Sequence, residues 1–338
     1  MNVYELHARE GFDSLVKGER PSPRPGAGEV KVRVRAVSLN YRDIILAKNA
    51  KGANRERPIV PTSDGAGEVV EVGPGVTRLR AGDRVMAAFF PTWHRGELEE
   101  SHHAHALGGG TTDGMLAQEV VLREEAWVRI PEHLSFEEAA TLPCAGVTAY
   151  QALFVAATVK PGDTVLLQGT GGVSILALQL AKAAGAIPLV TSSSAGKRER
   201  AKALGAVETF DYKETPAWGE AVRAFTGGRG VDVAVEVGGP GTFDQSVAAL
   251  RFGGTMSILG VLTGVRGEVN THAIFHKGLK VHGVYVGSVA MFEDLGRALS
   301  ASRIVPIVDR VFSFGEARAA YDYLASAAHF GKVVVRVD

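Results

Sequence analysis

The chain has 338 residues, enough for two domains of ordinary size, and its 46% hydrophobic and 22% charged residues are typical of a folded globular protein. The 37 basic and 37 acidic residues cancel, which gives no general attraction to nucleic acid or to a membrane surface. The sequence contains neither a signal segment nor about 18 consecutive apolar residues, so we expect a cytoplasmic protein without a membrane span. A single cysteine, Cys144, excludes an internal disulfide and a four-cysteine zinc site.

Residues 1 to about 125 have the pattern of short β-strands joined by glycine and proline turns. The clearest strand runs from Glu29 to Val37, where small apolar residues alternate with lysine and arginine. Two further apolar runs, Gly67 to Val72 and Val85 to Phe90, are separated by turn-forming residues, as in a hairpin. Helical patterns are scarce before Phe136, so this part of the chain is expected to be mostly β.

From Pro161 onward, strand and helix patterns alternate. Short apolar runs separated by amphipathic helices are typical of parallel βαβ units. The predicted strands are Thr164 to Leu167, Ile187 to Thr191, Val231 to Val237 and Thr255 to Val261, and the predicted helices are Gly172 to Ala184 and Lys197 to Leu204. After about Gly287 the pattern predicts two helical stretches and a last strand, Lys332 to Val337.

A glycine-rich turn joins the first of these strands to its helix. Gly169 permits a tight turn, Gly171 permits backbone to approach a pyrophosphate, and Ser174 is small enough for close helix packing. Free N–H groups and the helix dipole would attract the anion. Such turns are also found as plain structural features, but the placement between strand and helix favours a dinucleotide site formed by Gly169, Gly171, Gly172 and Val173.

The end of the second strand indicates which dinucleotide binds. An NAD site usually has Asp or Glu there to bind the ribose 2′-hydroxyl. This chain has Ser192 and Ser193 instead, followed by Lys197 and Arg198 in the first turn of the next helix, where the helix dipole disfavours positive charge. A 2′-phosphate would resolve that conflict, so the pattern predicts NADP(H) bound by Ser192, Ser193 and Lys197, with Arg198 as a further candidate. A solvated basic helix start is the alternative.

Four ordered strings, together with this turn, resemble the medium-chain dehydrogenase/reductase superfamily. They are Asn40-Tyr41-Arg42-Asp43, Asp64 to Val70, Gly82 to Val85 and Leu142 to Tyr150. The likeness covers nearly the whole chain and is greatest to the zinc-free quinone oxidoreductase branch and to bacterial proteins called zinc-type alcohol dehydrogenases. It implies an α/β fold with a GroES-like, β-rich catalytic domain at 1–145 and 287–338 and a Rossmann doubly wound parallel sheet at 146–286, with the active site in the cleft between them.

The resemblance also implies a site without metal. Zinc-dependent members bind the catalytic ion through a Cys in a C-x-S-D string, a His in a G-H-E string and a Cys shortly before a T-G-Y-like segment. The matching positions here are Asn40, Ser63 and Cys144. Because neutral Asn and Ser are poor zinc ligands, no catalytic zinc is expected, and the lobe that holds a structural zinc is absent as well.

The same matching implies roles for further residues. Asn40 would approach the nicotinamide ribose, Thr148 the nicotinamide side of the cofactor, and Tyr212 the 2′-phosphate. The other positions that line the cofactor in related enzymes are Val237, Leu259, Gly260, Val261, Gly287, Ser288 and Lys332. For the valines, glycines and leucine, ordinary packing at strand ends would produce the same pattern.

Without a Lewis acid, the site is poorly equipped to ionise an ordinary alcohol. Hydride transfer to an enone or quinone mainly needs positioning and a proton source. Tyr41, next to Asn40, is the candidate hydrogen-bond or proton donor, with Arg42 or solvent as rivals and an aromatic pocket wall as its alternative role. Asp43 is the candidate that orients these neighbours.

Two further features favour a structural interpretation. Cys144 has no histidine or cation near it in the sequence, so an inert buried thiol is favoured over a catalytic one. The run from Trp93 to His105 has four histidines and three glutamates, and His102 and His105 would share a face if helical. It has the composition of a metal site, but a solvated lid that binds metal only opportunistically is favoured.

The leading hypothesis is an NADPH-dependent reductase of small quinones or α,β-unsaturated carbonyls that uses no metal. A metal-free NADP-dependent alcohol or aldehyde dehydrogenase is the second, and a non-catalytic NADPH-binding protein of crystallin-like or RNA-binding type is the third. The neutral charge and the absence of aromatic-basic strings argue against RNA. The resemblance further implies a homodimer in which the strand Leu279 to Val286 pairs across a two-fold axis.

Overall fold

The structure is a computed structural model that describes residues 1–53, 57–109 and 111–337. The chain divides into two compact units. The first unit comprises Met1–Val147 and Val286–Asp338, and the second comprises Thr148–Tyr285. Each unit has its own large β-sheet, and the first also contains a two-stranded sheet.

Fifteen strands lie within the described residues. In chain order they are β1 Asn2–Leu6, β2 Leu15–Glu19, β3 Glu29–Leu39, β4 Asp64–Val72, β5 Arg84–Ala87, β6 Glu119–Arg123, β7 Trp127–Arg129, β8 Thr164–Gln168, β9 Ile187–Thr191, β10 Glu208–Phe210, β11 Val231–Glu236, β12 Leu250–Ile258, β13 Lys280–Gly283, β14 Val308–Ser313 and β15 Lys332–Arg336.

Eleven α-helices accompany them in the same described ranges. They are α1 Tyr41–Lys48, α2 Glu100–Ala104, α3 Phe136–Ala139, α4 Val147–Tyr150, α5 Gly172–Ala183, α6 Ala195–Leu204, α7 Trp218–Phe225, α8 Pro240–Ala249, α9 Thr271–His276, α10 Val289–Ser302 and α11 Ala317–Ala325. Short 3₁₀ turns lie at Gly11–Ser14, Ala50–Gly52, Glu124–Ala126 and Phe314–Glu316, and π-helical turns at Leu142–Gly146 and Gln151–Ala156. A helix with the length and apolarity needed to cross a bilayer is not found among the described residues.

The large sheet of the first unit is organised around β3. Its strand order is β14-β15-β3-β4-β5-β7, and β6 also pairs with β3. The predicted alternation is present, because Val30, Val32 and Val34 are buried while the intervening basic residues are partly or fully exposed. The last strand, β15, runs antiparallel to β3 with Val333 opposite Leu39. This register brings the start of β15 beside the end of β3, where the active-site candidates begin.

The second unit contains six parallel strands in the order β10-β9-β8-β11-β12-β13. The order reverses at β8, since β9 lies on one side of it and β11 on the other. This is the doubly wound Rossmann arrangement, in which ligands bind where the strand order reverses, beyond the carboxyl ends of the strands. The predicted α/β fold class with a Rossmann sheet is therefore confirmed.

Several predicted elements have other bounds in the structure. The strand predicted from Val85 to Phe90 ends at Ala87, because Phe89 and Phe90 leave the strand and pack edge to face in the core. The strand predicted to begin at Thr255 already begins at Leu250. The scarcity of helical patterns before Phe136 led us to miss α1, a short helix of weak amphipathicity that starts directly after β3.

Candidate functional site

The glycine turn of the second unit has open space around it. Gly169 follows β8 with a φ of 72°, in the left-handed region that glycine adopts without steric cost. Its N–H donates to the Thr191 carbonyl at 2.9 Å, which ties the turn to the end of β9. A Cβ at Gly169 or at Gly171 would meet no atom within 4 Å. Backbone N–H groups at the start of the twelve-residue helix α5 are thus in a setting that suits a pyrophosphate.

Ser174 holds α5 against this turn. Its hydroxyl is buried and donates to the carbonyl oxygen of Gln168 at 2.6 Å. The sequence predicted only that a small residue at 174 permits close packing. The structure adds a hydrogen bond that joins the last residue of β8 to the first turn of the helix, so Gly172 and Val173 lie on a rigid connection.

A buried carboxylate fixes the ends of β8 and β11. Glu236 is fully buried, and its two oxygens accept hydrogen bonds from five donors. The donors are Gln168 Nε2, Gly238 N, Gly239 N, Thr242 Oγ1 and Ser246 Oγ. The Gln168 Oε1 atom in turn accepts from the backbone N–H groups of Val237 and Gly238 at 3.1 and 3.2 Å. The backbone beyond β11 is therefore held from two sides.

Four residues predicted to line the cofactor lie together beyond β11 and β12. The Leu259 N–H donates to the Glu236 carbonyl at 3.0 Å, so the two strand ends run side by side. A Cβ at Gly260 would lie 2.1 Å from the Val237 carbonyl oxygen, which only glycine avoids. Val261 follows and is 39% exposed. The structure therefore brings Val237, Leu259, Gly260 and Val261 together, and the glycine is required by close backbone approach.

The serine loop after β9 contains most of the predicted 2′-phosphate ligands. The Ser193 hydroxyl donates to the Tyr212 hydroxyl at 3.1 Å, so these two predicted residues are neighbours. Ser192 is buried, and Ser194 caps α6 by accepting from the Lys197 N–H at 3.4 Å. Hydroxyl groups and a lysine are thus collected at one helix start, as the sequence predicted.

Arg198, the further candidate for the 2′-phosphate, is paired with a carboxylate in the structure. Its Nη1 atom donates to the Ser192 carbonyl at 2.9 Å and forms an ion pair with Asp211. Asp211 also accepts from the backbone N–H of Lys213 at 2.8 Å. Arg198 therefore connects the serine loop to the residues after β10, through a hydrogen bond on one side and an ion pair on the other.

Three residues that the resemblance places at the cofactor lie in the sequence close to the limits of the two units. Thr148 is buried in α4. Gly287 packs so closely that a Cβ there would lie 2.5 Å from a Val147 methyl group. Ser288 is buried and caps α10 by accepting from the Met291 N–H at 3.3 Å. These contacts give Gly287 and Ser288 a structural task, whether or not they also contact a cofactor.

The first unit contains a buried polar network at the start of α1. Lys332 is only 3% exposed, and its Nζ atom donates to the Asn40 Oδ1 atom at 2.5 Å and to the Leu39 carbonyl at 2.7 Å. The same Nζ atom lies 3.8 Å from the Oδ2 atom of the fully buried Asp64. The buried Asn40 Nδ2 atom faces the Asp64 carboxylate, whose pKa it lowers, but it forms no hydrogen bond of normal geometry within the described residues. Because the amide nitrogen has two N–H groups, an acceptor on a bound ligand would suit this position as well.

The other two positions that match zinc ligands are engaged with Asp64. The Ser63 hydroxyl donates to Asp64 Oδ1 at 2.7 Å, and the Cys144 backbone N–H donates to Asp64 Oδ2 at 3.2 Å. Burial, reinforced by the Asp64 carboxylate, raises the pKa of the Cys144 thiol to about 12. Burial also raises the pKa of Asp64, while Lys332 and the Asn40 side chain oppose that shift. A thiol in this setting stays protonated near neutral pH.

The first turn of α1 contains two candidate residues, of which Asp43 is buried and Tyr41 is exposed. Asp43 is fully buried and accepts from the Asn40 N–H at 2.7 Å, so it does orient the residue beside it. Its Oδ1 atom has no partner among the described residues. Burial raises the pKa of Asp43 to about 6, against an opposing effect of the neighbouring Arg42. Tyr41 is 46% exposed and therefore accessible to a small molecule.

The histidine-rich run forms only a short helix. α2 ends at Ala104, so His102 and His105 do not share a helical face. His102 stacks on the buried Trp93 with ring centroids 6.1 Å apart and contacts the Thr92 hydroxyl at 3.2 Å. In the described part of the chain, no three His, Cys, Asp or Glu side chains are grouped closely enough to hold a metal ion. The start of this run is fixed to α10, because the Trp93 and His94 carbonyls accept hydrogen bonds from the N–H groups of Val289 and Ala290. This anchoring was not expected of a solvated lid.

Sequence reasoning gave no role to three residues that organise the two sites. Asp64 is the first residue of β4, Glu236 is the last residue of β11, and Gln168 is the last residue of β8. Polar residues at the ends of largely apolar runs were the available signal, since a buried charge is rare unless it is paired. The partners, however, come from distant parts of the chain and could not be read from the strand itself.

Comparison with known proteins gives consistent matches along the chain. Family models for an alcohol dehydrogenase GroES-like domain and a zinc-binding dehydrogenase match residues 26–132 and 172–301. A zinc-type alcohol dehydrogenase-like protein of Schizosaccharomyces pombe is 43% identical over 99% of both proteins. The structure of an NAD-dependent alcohol dehydrogenase is similar with a TM-score of 0.90, 34% identity and 100% coverage of both chains. A crotonyl-CoA carboxylase/reductase, AntE, in complex with NADP has a TM-score of 0.85 and 26% identity over 99% of this chain and 94% of that one.

The Rossmann sheet with its glycine turn, joined to a GroES-like unit, defines an oxidoreductase that uses a nicotinamide dinucleotide. The chain belongs to the medium-chain dehydrogenase/reductase superfamily, as its sequence motifs predicted.

The raised pKa of Asp43 predicts a specific pH dependence of stability. Because the folded-state pKa is about 6, against 3.8 for a free side chain, folding favours the protonated form. That contribution is fully present below pH 3.8 and is lost as the pH rises through about 6. We expect Asp43→Asn, which cannot ionise, to gain unfolding free energy relative to wild type between about pH 4 and pH 7. The gain should be on the order of 3 kcal/mol at most.

Urea unfolding of both proteins across this pH range measures the difference. Asp322→Asn, which changes an exposed carboxyl on α11, is the matched control and should show a flat difference. A flat difference for Asp43→Asn as well would mean that Asp43 is ionised in the folded protein throughout.

Proposed function

We propose that this protein is an NADPH-dependent reductase that transfers hydride to a small activated carbonyl, a quinone or an α,β-unsaturated ketone or aldehyde, without a metal ion. The observation that carries the proposal is the 2.5 Å contact between Lys332 Nζ and Asn40 Oδ1 at a position that matches a zinc ligand in metal-dependent relatives. The Asn40 oxygen, which a metal ion would need as a ligand, is bound by an ammonium group. The reaction must then rely on positioning and hydrogen bonding.

The donor set supports the metal-free part of this proposal. A catalytic zinc site needs three good protein ligands, usually Cys, His or a carboxylate, and an open fourth position. Here the Asn40 oxygen is bound to Lys332 and the Ser63 hydroxyl donates to Asp64. Of the three matching positions, Cys144 alone has a side chain of a good ligand type. These residues do not fit a zinc ion.

The serine loop supports NADP(H) as the cofactor. The second strand of the Rossmann sheet is followed by Ser192 and Ser193, with Lys197 in the first turn of α6. Asp211, the nearby carboxylate, forms an ion pair with Arg198 and therefore does not take the role of the acidic residue that binds a ribose 2′-hydroxyl in NAD sites. We propose that Ser192, Ser193, Lys197 and Tyr212 bind the 2′-phosphate and that the Gly169 to Val173 turn binds the pyrophosphate.

Bound NADPH would supply the hydride, and the first unit would supply the polar groups. Asn40 would donate from its amide to the nicotinamide ribose, and Asp43 fixes the Asn40 backbone through the 2.7 Å bond to its N–H. The exposed Tyr41 hydroxyl is the proposed proton donor to the acceptor, with water as the source that restores it. Addition of one hydride and one proton would reduce the carbon–carbon double bond of an enone or the quinone ring. Crotonyl-CoA, named in one structural relative, is an activated acceptor of this kind.

A metal-free alcohol or aldehyde dehydrogenase is the second candidate. It is favoured by the similarity to an NAD-dependent alcohol dehydrogenase. A protein of this type would oxidise simple alcohols and reduce simple aldehydes, which lack a conjugated double bond. A non-catalytic NADPH-binding protein is the third candidate, and it would bind the cofactor with no turnover.

The acceptor and metal requirement can be tested together. We expect the chelator-treated protein to oxidise NADPH with an enone or quinone at an unchanged rate, because no step depends on a bound ion. NADPH oxidation is followed by absorbance, with a simple aldehyde and an alcohol as the comparison substrates. Activity restored only by added zinc would contradict the metal-free proposal, and turnover of the aldehyde alone would favour the second candidate. Binding without any turnover would favour the third.

The cofactor assignment predicts a charge effect confined to one end of α6. We expect Lys197→Gln to weaken NADPH binding by about tenfold or more and NADH binding by less than about twofold, because only NADPH has the 2′-phosphate. Fluorescence titration measures both affinities. Lys202→Gln, in the last turn of the same helix and paired with Glu208 at 2.9 Å, is the matched control and should change neither. Equal weakening of both cofactors by Lys197→Gln would contradict the assignment.

We also propose that the protein forms a homodimer through β13. This strand lies at the edge of the Rossmann sheet, and all four of its residues are exposed. Unpaired edge strands readily pair with a second chain. Apolar side chains near it are exposed as well, among them Phe275 at 72% and Tyr285 at 47%.

Sedimentation should therefore show a dimer that Val281→Glu, on β13, converts to monomer by placing charge on the paired edge. Val265→Glu is the control, since Val265 is 78% exposed but lies outside the strand. A monomeric wild-type protein, or equal effects of both variants, would rule out this interface.

A further inference from the structure

Lys332 is a buried lysine whose surroundings are unusual for a cofactor-lining residue. It begins β15, is 3% exposed, and directs its ammonium to the Leu39 carbonyl and to the Asn40 side chain. Lysine is almost never fully buried unless its charge is paired. Asp64 provides the pairing charge at 3.8 Å and is itself fixed by Ser63 and by the Cys144 backbone.

The chemistry of the ammonium group decides which end of the Asn40 amide faces it. An amide has an oxygen that accepts and a nitrogen that donates, and the two ends are similar in size and shape. An ammonium group has three donors and no acceptor. Only the amide oxygen can therefore bond to Lys332, while the NH₂ end faces the Asp64 carboxylate and has a second N–H to offer to a ligand. Lys332 and Asp64 thus both oppose a half-turn of the amide, which would present the oxygen to the ligand instead.

We infer that Lys332, anchored by Asp64, is a positioning residue that locks the Asn40 amide so that it acts as a hydrogen-bond donor to the nicotinamide ribose. This inference rests on the proposed function for the identity of the ligand. The lock itself depends only on the three side chains. Orienting the amide would also explain why a Lys332–Asp64 pair is buried here, since a buried ion pair stabilises a fold no better than well-packed apolar residues do.

The first test observes the amide directly and needs no turnover. The sequence has five asparagines, Asn2, Asn40, Asn49, Asn54 and Asn270, so selective ¹⁵N labelling gives five side-chain NH₂ signals by nuclear magnetic resonance. The signal missing in Asn40→Ala identifies Asn40. We expect Lys332→Met to shift this signal and to raise its hydrogen-exchange rate by about tenfold or more, because the amide is released. Addition of NADP⁺ should slow exchange in the wild type and should do so less in the variant.

The second test is a double-mutant cycle on hydride transfer. We expect Asn40→Ala and Lys332→Met each to lower kcat/KM for NADPH by about tenfold, the value of one lost hydrogen bond. If Lys332 acts through Asn40, the double variant should be no slower than either single variant. Multiplied effects, a loss of about a hundredfold in the double variant, would mean that the two residues act independently and would overturn the inference.

Lys277 provides a matched control. Its ammonium is likewise held by backbone carbonyls, those of Val247, Ala248 and Leu250, at 2.6 to 3.2 Å, but in the second unit. Lys277→Met should lower stability without altering the Asn40 signal, and its kinetic effect should multiply with that of Asn40→Ala. If Lys332→Met does not fold, Lys332→Gln replaces it in both tests, because a glutamine amide can accept as well as donate and would release Asn40.

The outcomes separate this inference from the proposed function. A wild-type protein that turns over no acceptor refutes the reductase proposal, while the exchange experiment still measures the lock. An Asn40 signal unchanged by Lys332→Met or Lys332→Gln refutes the lock, whatever the kinetics show.

Discussion

The antiparallel pairing of β15 with β3 is the constraint on which the candidate site depends. It joins residues at opposite ends of the chain, since Lys332 and Asn40 are 292 positions apart. The side-chain period of a strand is two residues, so a slip of one position would turn Lys332 to the other face of the sheet. Lys332 and the three valines that follow it are all buried, so alternation of buried and exposed residues does not distinguish the two faces of β15. The backbone pairing with β3, with Val333 opposite Leu39, thus sets the position of the charged group.

The two units hold their functional groups by different physical means. In the second unit the backbone has the main part: glycines leave open space at the start of α5, Gly260 admits close backbone approach, and Glu236 fixes the strand ends through five donors. In the first unit the groups are side chains in a buried network of Lys332, Asp64 and Asn40. A backbone cradle suits a ligand part that does not react, and an oriented amide suits one whose geometry must be exact to a fraction of an ångström.

Charge balance explains why the first unit tolerates this network. Arg42 and Lys332 carry positive charge, and Asp43 and Asp64 carry negative charge when ionised. Burial penalises every ionised form, and the raised pKa of Asp43 is the visible result. Asn40, at a position that matches a zinc ligand in metal-dependent relatives, is therefore in contact with an internal cation that has its own counter-ion.

The sequence by itself determined the elements whose signals are local. The alternation in β3, the βαβ rhythm and the glycine turn each depend on neighbouring residues, so the fold class and the serine loop followed from pattern. Tertiary structure decided the contacts between distant segments: Arg198 pairs with Asp211, Glu236 collects donors from several elements, and Lys332 binds Asn40. No pattern in the sequence encodes these partners, because a buried charge specifies only that it must be paired, and the folded topology decides with what.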